Sequence, residues 1–310
     1  MPLKVLFAAH TDRWAEYEAP LNAAFEEAEL KVDLARDHVP EVVDYIVYAP
    51  NGDLQDFSPF KSTKAVLSLW AGVESIVGNE TLTQPLTRMV DSGLERGMVE
   101  WVTGHVLRHH LGIDQDVLGQ NGAWRPHVPP LACERPVTIL GLGELGKACG
   151  LALAQLGFPV IGWSRSEKKI QGINCIFGEE NLATALQSAS IIVLLLPLTS
   201  NTENLMNADR LAQLPKGAVV INPGRGQLVN DDALLQSLDS GHLSHATLDV
   251  FRIEPLPSEH PFWAHPKVTV TPHIASETRP TTAAKVIADN ITRGEAGEPF
   301  LFLVNRKLGY

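Results

Sequence analysis

Thr138-Ile139-Leu140-Gly141-Leu142-Gly143-Glu144-Leu145-Gly146 runs straight into Lys147-Ala148-Cys149-Gly150-Leu151-Ala152-Leu153. A short apolar strand meets three glycines spaced G-x-G-x-x-G, and apolar residues at helical spacing follow. The spacing alone is a weak signal; between a strand and a helix it carries much more weight. Gly141 permits a tight turn, Gly143 lets the backbone approach a pyrophosphate, and Gly146 lets the helix pack close to the sheet. The helix N-terminus adds N–H donors and positive dipole character. The stretch therefore predicts a Rossmann-type α/β domain whose phosphate loop is Gly141, Leu142, Gly143, Glu144, Leu145 and Gly146.

The end of the next strand reports on the nucleotide. An NAD site carries an acid about 20 residues into the motif, for the ribose 2′-hydroxyl. Here the strand ends Trp163-Ser164-Arg165-Ser166, with no acid. Arg165 can pair with a 2′-phosphate, and Ser164 or Ser166 can donate to it.

Strand and helix signals alternate on both sides of the loop. Strands are expected at Lys4–Ala9, Asp44–Tyr48 and Ala65–Leu69, then at Val137–Leu140, Pro159–Trp163, Ile191–Leu196, Ala218–Asn222, Ala246–Val250 and Val268–Val270. Helices are expected at Trp14–Ala28, Met98–His110, Leu145–Leu156, Asn181–Ser188, Asp231–Asp239 and Pro280–Arg293, and Gly112–Pro136 reads as a long irregular connection. Such alternation predicts parallel sheets covered by helices. The fold class is α/β, with two Rossmann/flavodoxin-like domains and an active site in the cleft between them. Residues 1–97 plus 276–310 are expected to form a discontinuous substrate-binding domain, and residues 98–275 the dinucleotide-binding domain.

The 310 residues suit two domains, at roughly 100–200 residues each. Apolar residues make up 45% and charged residues 20%, as in a globular enzyme. The net charge of −11 argues against nucleic acid or an anionic membrane surface as partner. Cys133, Cys149 and Cys175 form no C-x-x-C pair and read as small apolar residues in a reducing compartment. No signal peptide or membrane-spanning run is visible, so a cytoplasmic address is expected. His105 and His109 lie one helical turn apart and His110 follows, but that pair has no third ligand nearby and lacks the H-E-x-x-H pattern, so no metal is expected.

Three fragments follow strands in the second half: Asn222-Pro223-Gly224-Arg225-Gly226, Asp249-Val250-Phe251-Arg252-Ile253-Glu254, and Thr271-Pro272-His273-Ile274-Ala275. Ligands of open parallel sheets bind beyond the carboxyl ends of the strands. Carbonyl reduction needs a cation for the substrate, a proton donor, and a group to orient that donor. Arg225 offers a planar fork matched to a carboxylate. His273 is the proton donor, since an ordinary imidazole titrates near neutral pH. Glu254 is its partner, since a neighbouring carboxylate favours the imidazolium.

With Leu196-Pro197-Leu198-Thr199 and Glu254-Pro255-Leu256-Pro257, these fragments resemble the D-isomer-specific 2-hydroxyacid dehydrogenase family across essentially the whole chain, closest to its glyoxylate- and hydroxypyruvate-reducing branch. The resemblance implies that Arg225 binds the substrate carboxylate and carbonyl, that His273 is the acid/base, and that Glu254 supports it. It also implies contacts to the cofactor from Trp163, Leu196, Pro197, Thr202, Pro223, Gly224, Asp249, His273 and Ala275. Trp70, Ala71 and Gly72 match the loop that grips the substrate carboxylate. Ser164-Arg165-Ser166 matches the members that use NADP(H). The expected substrate is a small 2-oxo acid, and the expected assembly is a homodimer with Gly112–Pro136 at its interface and Trp124-Arg125-Pro126 in contact. Two other readings stay open: a dehydrogenase of a larger 2-oxo acid, and a dinucleotide-sensing regulator without turnover. The complete Arg225, Glu254 and His273 set disfavours the second.

Overall fold

A computed structural model describes residues 1–309. In chain order the elements are β1 (Leu3–Ala8), α1 (Trp14–Glu27), β2 (Val32–Ala35), β3 (Tyr45–Tyr48), β4 (Ala65–Ser68), β5 (Leu86–Thr87), α2 (Ser92–Leu111), α3 (Ile113–Leu118), β6 (Val137–Leu140) and α4 (Glu144–Gln155). They continue as β7 (Val160–Ser164), β8 (Asn174–Phe177), α5 (Leu182–Gln187), β9 (Ile191–Leu194), α6 (Ala208–Leu211), β10 (Ala218–Asn222), α7 (Asp231–Asp239), β11 (Leu243–Leu248), β12 (Val268–Val270) and α8 (Pro280–Glu295). The chain divides into two compact units: Met1–Leu94 with the chain from Glu277 onward, and Glu95–Ser276. The first division falls inside α2, which runs through Gly97 without a break.

The first unit holds a parallel sheet in the order β2-β1-β3-β4-β5. Alternation along β1 sends Val5 and Phe7 to one face and Leu6 to the other. Leu21 and Phe25 of α1 pack on the first face with Ala284, Ile287 and Ile291 of α8. The other face is covered by Phe57, Phe60, Ile76 and Leu82, from irregular chain between β3 and β5.

The second unit holds a seven-stranded parallel sheet in the order β12-β11-β10-β9-β6-β7-β8. Its central strands are buried on both faces, hence the unbroken apolar runs of β9 and β10. Val102 and Val106 of α2, with Cys149 and Leu153 of α4, cover one face. Ala185 and Leu186 of α5, with Leu234 and Leu238 of α7, cover the other. Each buried Val or Leu among them contributes roughly 1.5–3 kcal/mol. The side chain of Asn230 caps α7 by accepting from the Ala233 amide at 2.9 Å. The chain starts at β6, winds outward through β7 and β8, then returns to β9 on the other side. That reversal places a crevice at the carboxyl ends of β6 and β9.

The structure adds elements at the edges and corrects several expectations. β2 and β8 are partly exposed edge strands of mixed composition, and β5 has only two residues, so none carries a long apolar run. The expected irregular connection contains α3. Cys133 is exposed rather than buried, while Cys149 is buried and Cys175 lies between. His110 is buried edge-on against Phe158 at 4.9 Å, and His109 hydrogen-bonds Thr247. No described helix is long and apolar enough to cross a membrane.

Candidate active site

Six loops follow strands at the carboxyl edge of the second sheet. The glycine loop follows β6. Gly141 has φ +106°, and a Cβ there would lie 2.4 Å from the Leu195 carbonyl oxygen. Only glycine holds that turn against the chain leaving β9. A Cβ on Gly146 would sit 1.8 Å from the Gly141 oxygen, so α4 is locked onto the turn. Gly143, just ahead of α4, is exposed, and a Cβ there would meet nothing within 4 Å. Of the three glycines, Gly143 is the one that faces open space, at the N-terminus of a twelve-residue helix. This shape fits a pyrophosphate. Leu142 is buried beneath the loop, Leu145 is half-buried and Glu144 is exposed.

At the end of β7 the Trp163 indole is buried and its Nε1 donates to the Gly178 carbonyl at 2.9 Å. Ser164 is buried and its hydroxyl donates to the Ser166 carbonyl at 2.8 Å. That proton is directed at the backbone of its own turn. Arg165 and Ser166 are exposed. Leu196 and Pro197 are half-buried on the loop after β9. Thr202 closes that loop, donating to the Pro197 carbonyl at 2.7 Å and accepting from the Thr199 amide at 2.8 Å. Its hydroxyl shapes the loop rather than reaching outward.

The loop after β10 is set by Asn222, a buried residue that the sequence reading quoted without a role. Its side chain accepts from the Gly224 amide at 3.1 Å and donates to the Arg225 carbonyl at 2.8 Å. Pro223 and Gly224 are buried, and Arg225 is half-buried with Nη1 donating to the Gly224 carbonyl at 2.7 Å. A Cβ on Gly226 would lie 2.1 Å from the Phe251 carbonyl carbon, so this loop presses on the one after β11.

Asp249 has no exposed surface. Its carboxylate accepts from the Ile274 amide at 2.9 Å, the Ala275 amide at 2.8 Å and the Thr271 hydroxyl at 2.5 Å. The His273 amide donates to the Asp249 carbonyl at 2.8 Å. Asp249 thus fixes the chain around His273. Nothing in the local sequence around Asp249 signals this pairing across strands.

His273 adopts φ +54°, a left-handed conformation uncommon for non-glycine residues and found at functional sites. Its Nδ1 is 2.7 Å from Glu254 Oε2, and Glu254 Oε1 accepts from the Phe251 amide at 2.8 Å. A carboxylate only accepts, so Nδ1 carries the proton and Nε2 remains for a proton in transit. The imidazole is 51% exposed, which leaves that nitrogen reachable. Arg225, Glu254 and His273 thus follow β10, β11 and β12, which are neighbours in the sheet. Trp70, Ala71 and Gly72 follow β4 in the first unit, where Trp70 is 42% exposed and its amide is held by the Ser68 hydroxyl at 3.0 Å. No group of three or more His, Cys, Asp or Glu side chains among the described residues is arranged to hold a metal.

Residues 102–275 match the family model for the D-isomer specific 2-hydroxyacid dehydrogenase, NAD binding domain. A glyoxylate/hydroxypyruvate reductase A from Serratia proteamaculans is 42% identical over 255 residues, spanning 80% of this chain and 82% of that protein. A crystal structure of a D-isomer specific 2-hydroxyacid dehydrogenase from Xanthobacter autotrophicus, in complex with NADPH and MES, superposes with a TM-score of 0.93 at 41% identity and covers 100% of both chains. An NADPH-dependent glyoxylate/hydroxypyruvate reductase from Sinorhizobium meliloti, in complex with NADP and sulfate, gives 0.87 at 35% identity over 99% of this chain and 100% of that one. The strand-end loops, the glycine turn and these likenesses agree, and the chain belongs to the D-isomer specific 2-hydroxyacid dehydrogenase family.

Proposed function

We propose that the protein reduces small 2-oxo acids, glyoxylate and hydroxypyruvate foremost, with NADPH. The observation that carries this reading is the His273–Glu254 contact of 2.7 Å at the same sheet edge as Arg225 and the glycine loop. The relatives named for that activity, and those crystallised with NADPH or NADP, support it.

When bound, NADPH supplies the hydride for the carbonyl carbon. The chain does the rest. Amides at the start of α4 receive the pyrophosphate, and Arg165 with Ser166 holds the 2′-phosphate. Arg225 binds the substrate carboxylate and draws charge toward the carbonyl oxygen. His273 holds a proton at Nε2 and delivers it to that oxygen as it becomes a hydroxyl. Glu254 keeps the ring oriented. Asn222 and Asp249 fix the loops that carry Arg225 and His273. We assign the second unit to the cofactor and the first to the substrate, with Trp70, Ala71 and Gly72 gripping its carboxylate. We also assign the protein to the cytoplasm, on its three free thiols, and to a homodimer. The exposed apolar side chains of Leu118, Trp124, Val128 and Leu131, on the connection to β6, supply the dimer contact.

The test is His273→Gln. The variant is expected to bind NADPH with unchanged affinity and to lose roughly 10²–10⁴-fold in kcat, the usual contribution of a general acid. Turnover near the wild-type rate removes His273 from the reaction.

A further inference from the structure

The opposite edge of the second sheet carries a second pocket, of about 420 Å³. Ser190–Ile191, Lys216–Val219 and Ser244–His245 border it where β9, β10 and β11 begin. Arg225, Glu254 and His273 lie past the other ends of the sheet strands, so the two sites are separated by the strands' length.

Arg108, Arg135 and Lys216 line the pocket. The only acid among the lining residues is Asp114, and its carboxylate is taken by Arg108 Nε at 2.8 Å. Three cations against one carboxylate stand out in a chain of formal charge −11. Two of the cations are held in place. Arg108 is fixed by Asp114, and Arg135 Nη1 donates to the His109 and His110 carbonyls at 3.1 and 3.2 Å. Arg135 therefore also covers the negative end of α2. Guanidinium groups ordered before a ligand arrives lose less entropy on binding it.

The floor is polar without being acidic. His109 Nε2 lies 2.8 Å from the Thr247 hydroxyl, His245 Nε2 lies 2.8 Å from the Thr269 hydroxyl, and the two rings are 4.9 Å apart. Gly217, with φ +86°, also lines the pocket, and a Cβ there would meet nothing within 4 Å; its amide already donates to the His242 carbonyl at 2.7 Å, so it contributes open space and no donor.

We propose that this pocket is a second ligand site, for a compact oxyanion of the phosphate class, present either as free phosphate or as a phosphate monoester. The fixed guanidinium pair matches such an oxyanion by its planar donors. Lys216 supplies a mobile third charge, and it has no ion-pair partner among the described residues.

The experiment titrates inorganic phosphate, and separately glycerol phosphate, into NADPH-saturated enzyme at constant ionic strength. Binding is read by calorimetry and thermal unfolding. Saturating NADPH keeps the nucleotide phosphate sites filled. Phosphate is expected to give a saturable heat and a rise in Tm, with the midpoint weakened about tenfold in Lys216→Glu. Lys216→Ala gives an intermediate shift and serves should the charge reversal impair folding. A tighter monoester identifies a phosphorylated metabolite as the ligand, and a monoester weaker than phosphate identifies the free ion. Either supports the site. A response that is absent, that does not saturate, that sodium chloride reproduces, or that persists unchanged in both Lys216 variants overturns it.

Discussion

At the scale of single residues, Asp249 shows how a strand end positions a histidine on the next strand. Its carboxylate takes two amides and one hydroxyl from the Thr271–Ala275 chain, and it is fully buried. Asp249→Asn keeps the shape but turns an NH2 group toward amides that need an acceptor. Leaving a buried group unsatisfied costs about 1–3 kcal/mol. The variant is expected to melt earlier and to lose kcat, while NADPH affinity changes less; unaltered melting would remove Asp249 from its supporting role. Arg165 offers the second test at this scale. It is exposed just past the end of β7. Hydrogen bonds to a charged group contribute about 1.5–3 kcal/mol, so Arg165→Ala is expected to raise the KM for NADPH by about 10–100-fold and leave that for NADH unchanged. Equal losses for both nucleotides contradict a 2′-phosphate contact.

At the scale of elements, the glycine turn separates fold from binding. A Cβ on Gly146 collides with the Gly141 carbonyl, while one on Gly143 meets open space. Gly146→Ala is therefore expected to lower Tm or abolish folding. Gly143→Ala should melt like the parent and yet bind NADPH weakly, because its methyl enters the space a pyrophosphate needs. Fluorescence titration with scanning calorimetry distinguishes the two, and a Gly143→Ala protein with normal affinity excludes the loop as the phosphate cradle. This turn was legible in the sequence because the strand, the glycines and the helix are contiguous. β6, β10, α7 and β12 were equally legible, each bounded by a turn and carrying a clear apolar period. β2 and β8 were not, since an edge strand exposes one side and loses the apolar run. Arg225, Glu254 and His273 could be named from their places after strands. The hydroxyls of Ser164 and Thr202 could not be assigned, because their partners depend on how each loop closes.

At the scale of the whole molecule, stability and function draw on opposite edges of one sheet. Burial holds the His109 imidazole down to about 3 and His245 down to about 4, and Arg108 opposes the charging of both. In the unfolded chain both titrate near the ordinary value of about 6.5. The unfolded state therefore binds more protons below that value, and the stability these residues confer is present above pH 6.5 and lost as pH falls toward 4. Tm is expected to drop steeply between pH 6.5 and 4.5, and His109→Gln with His245→Gln should flatten that drop. An unchanged slope in the double variant shows that other groups govern acid unfolding.

NADPH-dependent reduction of small 2-oxo acids is tested by following the oxidation of NADPH and NADH by absorbance with glyoxylate, hydroxypyruvate, pyruvate and a bulkier 2-oxo acid. The highest kcat/KM is expected for glyoxylate or hydroxypyruvate with NADPH, and a much lower one with NADH. No turnover of any 2-oxo acid, despite measured NADPH binding, or a preference for NADH, would contradict it.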